Sequence, residues 1–258
     1  MKKVFYFTLF AATLISACST SSDKGALKDA AIGIEKGEAG TFTFDAKDGV
    51  TITADYYPNK GARKIILLFH QAGYSRGEYK NIAPRLVDSG FACLAVDLRS
   101  GGLVNEVFNE TAKSAEEKSL PTSYIDAKQD IVTAIEYVTA NTDKEIILWG
   151  SSYTASLSLM VAAEDSLVSK VVAFSPGEYL SNQNMVKNAV TSLDKPVFIT
   201  GASAEFDIIV RPIVIALKQA SVVEHKPKGL SDHGSKTLWQ QGKESSLIYT
   251  KVCRFMKK

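Results

Sequence analysis

A serine flanked by small residues, at positions 150–154 (GSSYT), is the first candidate for chemistry in this chain. An apolar run, Ile146–Leu148, precedes it, and a second apolar stretch, Thr154–Ala163, follows it. This order predicts a strand, a tight turn and a helix, with Ser152 at the turn. Free backbone N–H groups and the positive end of the helix dipole would favour an oxyanion beside this hydroxyl. Ser152 is therefore a candidate nucleophile, and the alternative is that Ser151 or Ser152 only caps the helix.

The pattern Gly150-x-Ser152-x-Thr154 resembles the nucleophile elbow of the α/β-hydrolases, in which a serine lies at a strained strand-to-helix turn. The elbow of that family usually has a second glycine at the position of Thr154. Because small neighbours let the helix pack closely on the strand, we expect Thr154 to crowd the turn and Ala155 to provide part of the missing space. The resemblance implies a catalytic triad in the chain order serine, acid, histidine.

A serine nucleophile needs a general base, and the chain contains three histidines. The implied order places the base after the serine, which excludes His70. His233 lies in a turn-rich loop at residues 229–234 (GLSDHG), before the last predicted helix, where the resemblance places the histidine. His225 ends a short predicted strand, and we expect it to be a surface residue. His233 is therefore the candidate base; the alternative is an exposed loop histidine without a catalytic role.

The resemblance implies that the acid of the triad follows the strand Pro196–Thr200, in the loop at residues 201–207 (GASAEFD). Glu205 is the carboxylate nearer to the strand end, whereas Asp207 has another spacing seen in the family. Either carboxylate would orient the imidazole and stabilise its cation. Glu205 is the preferred acid and Asp207 is the alternative. The unused carboxylate is expected to be a solvated charge or an acid at a helix start.

An oxyanion hole needs two N–H donors, and the resemblance implies where they lie. The backbone of Tyr153, directly after the nucleophile, would supply one donor. A continuous apolar run, Lys64–His70, ends in Gln71-Ala72-Gly73, and residues 70–73 (HQAG) resemble the His-Gly-x-Gly loop of the hydrolases. Matching the two loops position by position makes Ala72 the second donor, with Gln71 as the alternative. His70 is then expected to have a structural role in holding this loop.

Apolar strands alternate with helical patterns along the chain, which indicates a mostly parallel central sheet with helices on both faces. Residues Thr41–Phe44 and Val50–Tyr57 predict an antiparallel N-terminal hairpin with a turn at residues 48–49. Sites in such sheets collect beyond the carboxyl ends of the strands. The predicted fold class is α/β, as an α/β-hydrolase fold. The resemblance extends from about residue 40 to residue 257 and is closest to the dienelactone hydrolase branch and related small esterases.

The sequence also predicts one long connection and four further helices. The polar residues 98–123 join a strand to a helix, and they are expected to be either a binding loop or a solvated surface excursion. Besides the helix after Ser152, the helical patterns are Glu78–Ser89, Tyr124–Thr139, Ile208–Gln219 and Leu238–Met256.

The first eighteen residues have the pattern of an export signal. Two lysines precede an apolar run of about a dozen residues, too short to span a bilayer as a mature helix. Residues 15–18 (ISAC) resemble the lipobox of bacterial lipoproteins, which implies removal of residues 1–17 and lipid on Cys18. A plain secretory signal is the alternative. Residues 18–38 are expected to be a tether and residues 39–258 the folded domain. Ser19 after Cys18 favours anchoring in the outer membrane, by resemblance to lipoprotein sorting.

Charge and cysteine content exclude several classes of protein. Residues 1–17 contain two lysines and no acid, so Lys+Arg falls from 30 to 28 and equals the 28 Asp+Glu. A net charge near zero argues against a nucleic-acid partner. No Cys/His cluster has zinc spacing, so neither a metal nor an organic cofactor is expected. Cys93 and Cys253 are expected to be buried free thiols rather than a disulfide.

The function expected from these features is hydrolysis of a small carboxylic ester through an acyl-enzyme on Ser152. The dienelactone hydrolase branch often has a cysteine at this position, and the serine here favours ester cleavage. The alternatives are a non-catalytic binding lipoprotein on the same fold, or a peptidase or thioesterase that uses the same triad. Nothing in the residues indicates an oligomeric state.

Overall fold

The computed structural model describes Met1, Ile34 and residues 37–180, 182–239 and 241–258. The rest of the predicted signal peptide, the predicted lipid-attachment residue Cys18 and most of the predicted tether lie outside this part of the chain. Within the tether, Ile34 is buried and belongs to the main apolar core of the domain. None of the helices in the described part of the chain has the length and apolar character needed to cross a membrane.

The described chain forms one mixed sheet of eight strands in the order β1-β2-β4-β3-β5-β6-β7-β8. Strands β1 and β2 pair antiparallel, β2 joins β4 antiparallel, and all later pairs are parallel. This arrangement confirms the predicted α/β-hydrolase fold with its antiparallel N-terminal hairpin. The strands are β1 Gly40–Asp45, β2 Thr51–Tyr57, β3 Lys64–Phe69, β4 Ala92–Val96, β5 Glu145–Ser151, β6 Val168–Phe174, β7 Val197–Thr200 and β8 Val222–His225.

Helices cover both faces of this sheet. Short turns of 3-10 helix lie at Arg76–Tyr79, Val190–Ser192 and Gly234–Leu238, and a π-helical turn lies at Phe206–Val210. The α-helices are α1 Ala83–Asp88, α2 Glu110–Glu117, α3 Lys128–Asn141, α4 Tyr153–Glu164, α5 Met185–Ala189, α6 Arg211–Ala216 and α7 Lys243–Lys257.

The core consists of two apolar layers, one on each face of the sheet. Alternate residues of β3 enter different layers: Ile65 and Leu67 pack with α3 and α4, whereas Ile66 and Leu68 pack with α1 and α7. Every residue of β4 is buried, as expected for a central strand covered on both faces. Cys93 and Cys253 lie in the second layer as buried free thiols.

Three predicted helices have different bounds in the structure, each for a local reason. The prediction of one helix from Glu78 to Ser89 was wrong, because a 3-10 turn ends at Tyr79 and α1 starts afresh with Pro84 in its first turn. The pattern Ile208–Gln219 contains a π-helical turn and then the short α6, which has Pro212 in its first turn. The last helix starts after Gly242 rather than at Leu238.

The long connection at residues 98–123 is hydrogen-bonded to the central sheet. It contains α2, which the sequence analysis missed, and two hydroxyls of this helix meet the backbone of β2. Thr53 N donates to Thr111 Oγ1 at 2.9 Å, and Thr51 N donates to Ser114 Oγ at 3.1 Å. The expectation of a solvated excursion was therefore wrong for this helix. The helix α3 that follows begins at Lys128, later than the predicted Tyr124.

The strand order separates the start of the domain from the carboxyl ends of the parallel strands. Gly40 pairs with Tyr56, and Tyr57 pairs with Cys93 near the start of β4. Since β4 is parallel to β3, the chain enters the domain at the edge formed by the amino ends of the parallel strands. The loops that carry the candidate residues leave from the opposite edge.

Candidate active site

Ser152 lies at a strained turn between β5 and α4. Its φ of +62° and ψ of −122° put a non-glycine residue in a backbone region that costs roughly 1–3 kcal/mol. Gly150 makes the turn possible, because a Cβ atom there would lie 2.4 Å from Cα of Ala155. The Ser152 side chain makes no capping hydrogen bond to α4, so the alternative of a simple helix cap is wrong for this residue.

Thr154 stabilises this turn instead of crowding it. Its buried hydroxyl accepts the N–H of Ser151 at 2.8 Å and lies 2.8 Å from the carbonyl of Phe69, to which it donates. The expectation of crowding was wrong, because the close approach of helix to strand occurs at Gly150. Position 154 has room for a side chain whose hydroxyl ties β3 to the turn.

His233 and Glu205 form the closest histidine–carboxylate pair in the described chain. Nδ1 of His233 lies 2.7 Å from Oε2 of Glu205, and Oε1 of Glu205 accepts the N–H of Ala202 at 3.0 Å. Burial opposes the ionisation of Glu205, but its hydrogen bonds, the one with His233 foremost, lower the pKa of the carboxyl. The ring of Tyr179 meets the imidazole edge-on, with ring centroids 6.2 Å apart. These contacts hold the ring in place and make Nδ1 of His233 the donor to the Glu205 carboxylate.

Asp207, the alternative acid, lies in different surroundings. Its carboxylate accepts Nζ of Lys226 at 2.5 Å and lies 3.5 Å from the Arg211 guanidinium. The side chain is 59% exposed, whereas that of Glu205 is 20% exposed. Asp207 is thus a solvated charge in an ion-pair cluster and makes no contact with His233.

Hydrogen bonds hold the His233 loop against the serine turn. Gly234 N donates to Ser175 Oγ at 2.9 Å, and Ser235 N donates to Ser151 Oγ at 2.8 Å. Gly234 has a φ of +71°, and a Cβ atom there would lie 2.5 Å from Ser151 Oγ. Because the residues next to His233 contact the residue next to Ser152, the two candidate residues lie in neighbouring loops.

The structure brings Ser152 and His233 together without a hydrogen bond between them. The described chain contains none that joins their side chains, and Nε2 of His233 has no hydrogen-bond partner in it. Catalytic hydrogen bonds are often long in a ligand-free site and tighten when substrate binds. Direct proton transfer would therefore require the two side chains to come within hydrogen-bonding distance.

The candidate oxyanion loop contains one free N–H and one occupied N–H. The N–H of Gln71 donates to Oε2 of Glu78 at 2.7 Å. The N–H groups of Ala72 and Tyr153 meet no acceptor among the described residues. Of the two alternatives, the Ala72 N–H is thus available to a ligand, together with that of Tyr153.

His70 is a buried residue that joins the oxyanion loop to the next connection. Its Nδ1 lies 2.9 Å from the Gln71 carbonyl, to which it donates, and its Nε2 accepts Leu98 N–H at 3.0 Å. The Asn109 amide lies 3.1 Å from the same Nε2. Burial lowers the pKa of His70 to about 4, so the ring is neutral and both nitrogens are engaged. This is the structural role expected for it.

Residues 98–109 pack directly on the oxyanion loop. Gly102 N donates to the Tyr74 carbonyl at 2.9 Å, and a Cβ atom on Gly101 would lie 2.3 Å from the same oxygen. Beyond α2, Tyr124 stacks on Tyr153 with ring centroids 4.4 Å apart. The first half of the long connection thus forms part of the wall beside the candidate site.

Sequence reasoning missed three residues of this site: Glu78, Ser151 and Ser175. Ser175 follows β6 with a φ of +53° and receives the Gly234 N–H. Ser151 was considered only as a helix cap, yet its hydroxyl donates to Glu78 at 2.7 Å. No local pattern identifies these residues, because their partners lie far away along the chain. The positive φ at Ser175 is a backbone property that residue type alone does not reveal.

Comparison with known proteins agrees with this fold. A model of the dienelactone hydrolase family matches residues 51–226. No curated protein shows significant similarity to the chain. Among solved structures, a dienelactone hydrolase from Anabaena variabilis is 17% identical with a TM-score of 0.63, covering 85% of this chain and 97% of that one.

Two esterases have similar folds. An esterase from Pyrococcus furiosus is 17% identical with a TM-score of 0.62, and the match covers 86% of this chain and 93% of the other. The esterase domain of a Rhodothermus marinus protein is 14% identical with a TM-score of 0.58, with 85% and 98% of the two chains covered. At these identities the likeness concerns the fold.

Proposed function

Because the chain belongs to the dienelactone hydrolase family, we propose that it is a serine hydrolase that cleaves carboxylic esters through an acyl-enzyme on Ser152. Family membership supports a hydrolase, and the choice of serine chemistry is our inference from the site. A serine oxygen in this position favours attack on an ester carbonyl.

In the proposed mechanism, His233 takes the proton of Ser152 as the hydroxyl attacks the ester carbonyl. The N–H groups of Tyr153 and Ala72 stabilise the developing oxyanion. Glu205 holds the imidazole through Nδ1 and stabilises its cation. The alcohol then leaves with the proton from His233, and a water molecule hydrolyses the acyl-enzyme with the same residue as base.

One observation carries this proposal: the His233–Glu205 pair at 2.7 Å is held against the turn of Ser152 by the hydrogen bond from Ser235 N to Ser151 Oγ. A second hydrogen bond, from Gly234 N to Ser175 Oγ, ties the same loop to the end of β6. A non-catalytic protein would have no reason to keep a strained serine beside an oriented imidazole. Two free N–H groups, that of Tyr153 beside the serine turn and that of Ala72 in the oxyanion loop, complete the set that ester cleavage requires.

We also propose that the protein is a lipoprotein, anchored through Cys18 in the cell envelope, most consistently in the outer membrane. The chain enters the domain at the edge opposite to the candidate site. A tether attached there would leave the site open to solvent and to a small ester. Replacing Cys18 by Ser should move the protein from the membrane fraction to the soluble fraction, and unchanged fractionation would contradict the anchor.

Hydrolysis of p-nitrophenyl acetate tests the enzymatic proposal. The wild-type chain should release p-nitrophenolate with a burst equal to the enzyme concentration when deacylation is slow. The variant S152A should lose the burst and at least about 10⁴-fold in kcat. The variant S192A removes an exposed serine hydroxyl from the short turn before β7, outside the candidate site, and serves as the matched control. Equal activity of wild type and S152A would contradict the proposal.

A further inference from the structure

Glu78 is a fully buried acid with no cation to balance it. The other two fully buried acids in the described chain, Asp97 and Asp130, each form an ion pair with an arginine, at 2.5 Å and 2.7 Å. No Lys or Arg of the described residues lies within ion-pair distance of Glu78. Burying a carboxylate without a cation is costly. Its environment must therefore supply other favourable interactions.

The Glu78 carboxylate connects three loops of the candidate site. Oε2 accepts the N–H of Gln71 in the oxyanion loop at 2.7 Å, and Oε1 accepts the hydroxyl of Ser151 at 2.7 Å. That hydroxyl accepts in turn the N–H of Ser235 in the His233 loop at 2.8 Å. The backbone carbonyl of Glu78 also accepts the indole N–H of Trp239 at 2.8 Å. One side chain thus bridges the loops of the nucleophile, the oxyanion hole and the base.

We propose that Glu78 is a positioning residue of the active site, whose ionised carboxylate holds the oxyanion loop and the nucleophile turn in register. This proposal rests on the serine-hydrolase function proposed above. By binding the N–H of Gln71, Glu78 fixes the orientation of the next peptide, whose N–H belongs to Ala72. By binding the hydroxyl of Ser151, it fixes the residue before the nucleophile.

The ionisation of Glu78 should therefore govern activity. Burial raises the pKa of Glu78 to about 7, against the hydrogen bonds from Ser151 and Gln71 and the nearby His233, which lower it. When the carboxyl is protonated, it becomes a donor where the ionised form only accepts. The oxygen that carries the proton then faces another donor, either the N–H of Gln71 or the hydroxyl of Ser151, and the link between the loops is weakened.

Burial raises the pKa of one other carboxyl near this turn, Asp97, to about 6, against its pairing with Arg76, and the Glu78 variants leave that pair in place. Burial raises the pKa of both Tyr79 and Tyr153 far above 10, so both phenols stay neutral. On the same turn of chain, Arg76 pairs with Asp55 and Asp97. Lys80 is exposed, and its ammonium lies 3.8 Å from a glutamate carboxylate on the next connection. Glu78 is thus the acid in this range that bonds directly to the oxyanion loop and to the nucleophile turn.

The pH dependence of kcat/KM for p-nitrophenyl acetate tests the proposal. In the wild type, the proposed base must be neutral and Glu78 must be ionised, so log kcat/KM should rise on the acid side with a limiting slope of 2. The variant E78Q keeps only the first of these two requirements and should show a slope of 1. Its kcat should fall by about 10- to 100-fold with a small change in KM, because an oxyanion hole acts in the transition state.

Two further variants keep the test decisive. E78D retains a carboxylate and should keep the slope of 2 while recovering part of kcat, and it carries the test if E78Q does not fold. E145Q removes a carboxylate at the opposite edge of the sheet and should leave both slope and kcat unchanged. A slope of 2 in folded E78Q, or a slope of 1 in wild type or in E78D, would overturn the role of Glu78.

The failure of the proposed function has a different signature. If wild type and S152A hydrolyse the ester equally, the serine mechanism is wrong and the role of Glu78 is wrong with it. If wild type is active and S152A is not, the mechanism stands. The slopes of the Glu78 variants then decide the further inference alone.

Discussion

Two histidine–carboxylate pairs lie at the carboxyl ends of neighbouring strands, and they differ in whether the second ring nitrogen has a partner among the described residues. The pair of His233 and Glu205 follows β7, at 2.7 Å, while His225 at the end of β8 lies 3.1 Å from Glu244. The second nitrogen of His225 lies 2.9 Å from Nζ of Lys251. The second nitrogen of His233 has no partner among the described residues.

The difference shows that a carboxylate beside a histidine does not by itself make a general base. His225 is 7% exposed, and burial lowers its pKa, so the neutral ring is locked between an acceptor and a donor. His70 is locked in the same way on both nitrogens. Of the three histidines in the chain, His233 alone combines an oriented ring with a nitrogen open to a substrate.

The largest expected effect comes from exchanging the two imidazoles for amides. H233Q removes the proposed base and should lower kcat for p-nitrophenyl acetate by at least about 10⁴-fold. H225Q should change kcat less than about threefold, since its ring contacts only structural partners. Steady-state kinetics on both folded variants measures the contrast. Similar losses in the two variants would remove the distinction drawn between the pairs.

Replacing the carboxylates of the two pairs should give the same contrast in kcat, with a smaller loss than replacing the histidines. E205Q leaves the imidazole without its anionic partner and should reduce kcat by about 10³- to 10⁴-fold. E244Q and D207N should leave kcat within a few-fold of the wild-type value. Kinetics at the pH of maximal activity compares the three variants. If D207N were the most damaged, the assignment of Glu205 as the acid would be wrong.

The smallest effect concerns the glycine that positions the His233 loop. G234A adds a Cβ atom 2.4 Å from Gln71 Oε1 at a φ of +71°, and it should lower the unfolding free energy by roughly 1–3 kcal/mol. For a domain of this size, that corresponds to a fall in Tm of about 2–12 °C. The matched variant G229A adds an atom 3.6 Å from its nearest neighbour and should leave Tm nearly unchanged. Equal melting temperatures of G234A and G229A would show that the His233 loop accommodates the added Cβ atom without loss of stability.

The sequence predicts those parts of the molecule that depend on neighbouring residues. The α/β fold and the hairpin follow from apolar periodicity, and the structure confirms both. The strained turn at Ser152 is recognisable because Gly150 must lie two residues before it. The helix boundaries around Pro84 and Pro212 were less predictable, because short turns of other helical types replace regular helix there.

Contacts between distant residues account for what the sequence could not predict. Glu205 and Asp207 are two residues apart in one loop, and only the fold shows which of them faces His233. Glu78 and Ser151 are 73 positions apart, so no spacing rule joins them. Thr154 is accommodated in the turn because its hydroxyl donates to the carbonyl of Phe69 at the end of β3, a contact that the local sequence does not reveal.

The most direct test of the account is covalent labelling with a fluorophosphonate probe, followed by mass spectrometry of the modified peptide. The account predicts one adduct per chain on Ser152, much slower labelling of H233Q, and labelling of H225Q at nearly the wild-type rate. An adduct on another residue, or undiminished labelling of S152A, would contradict it.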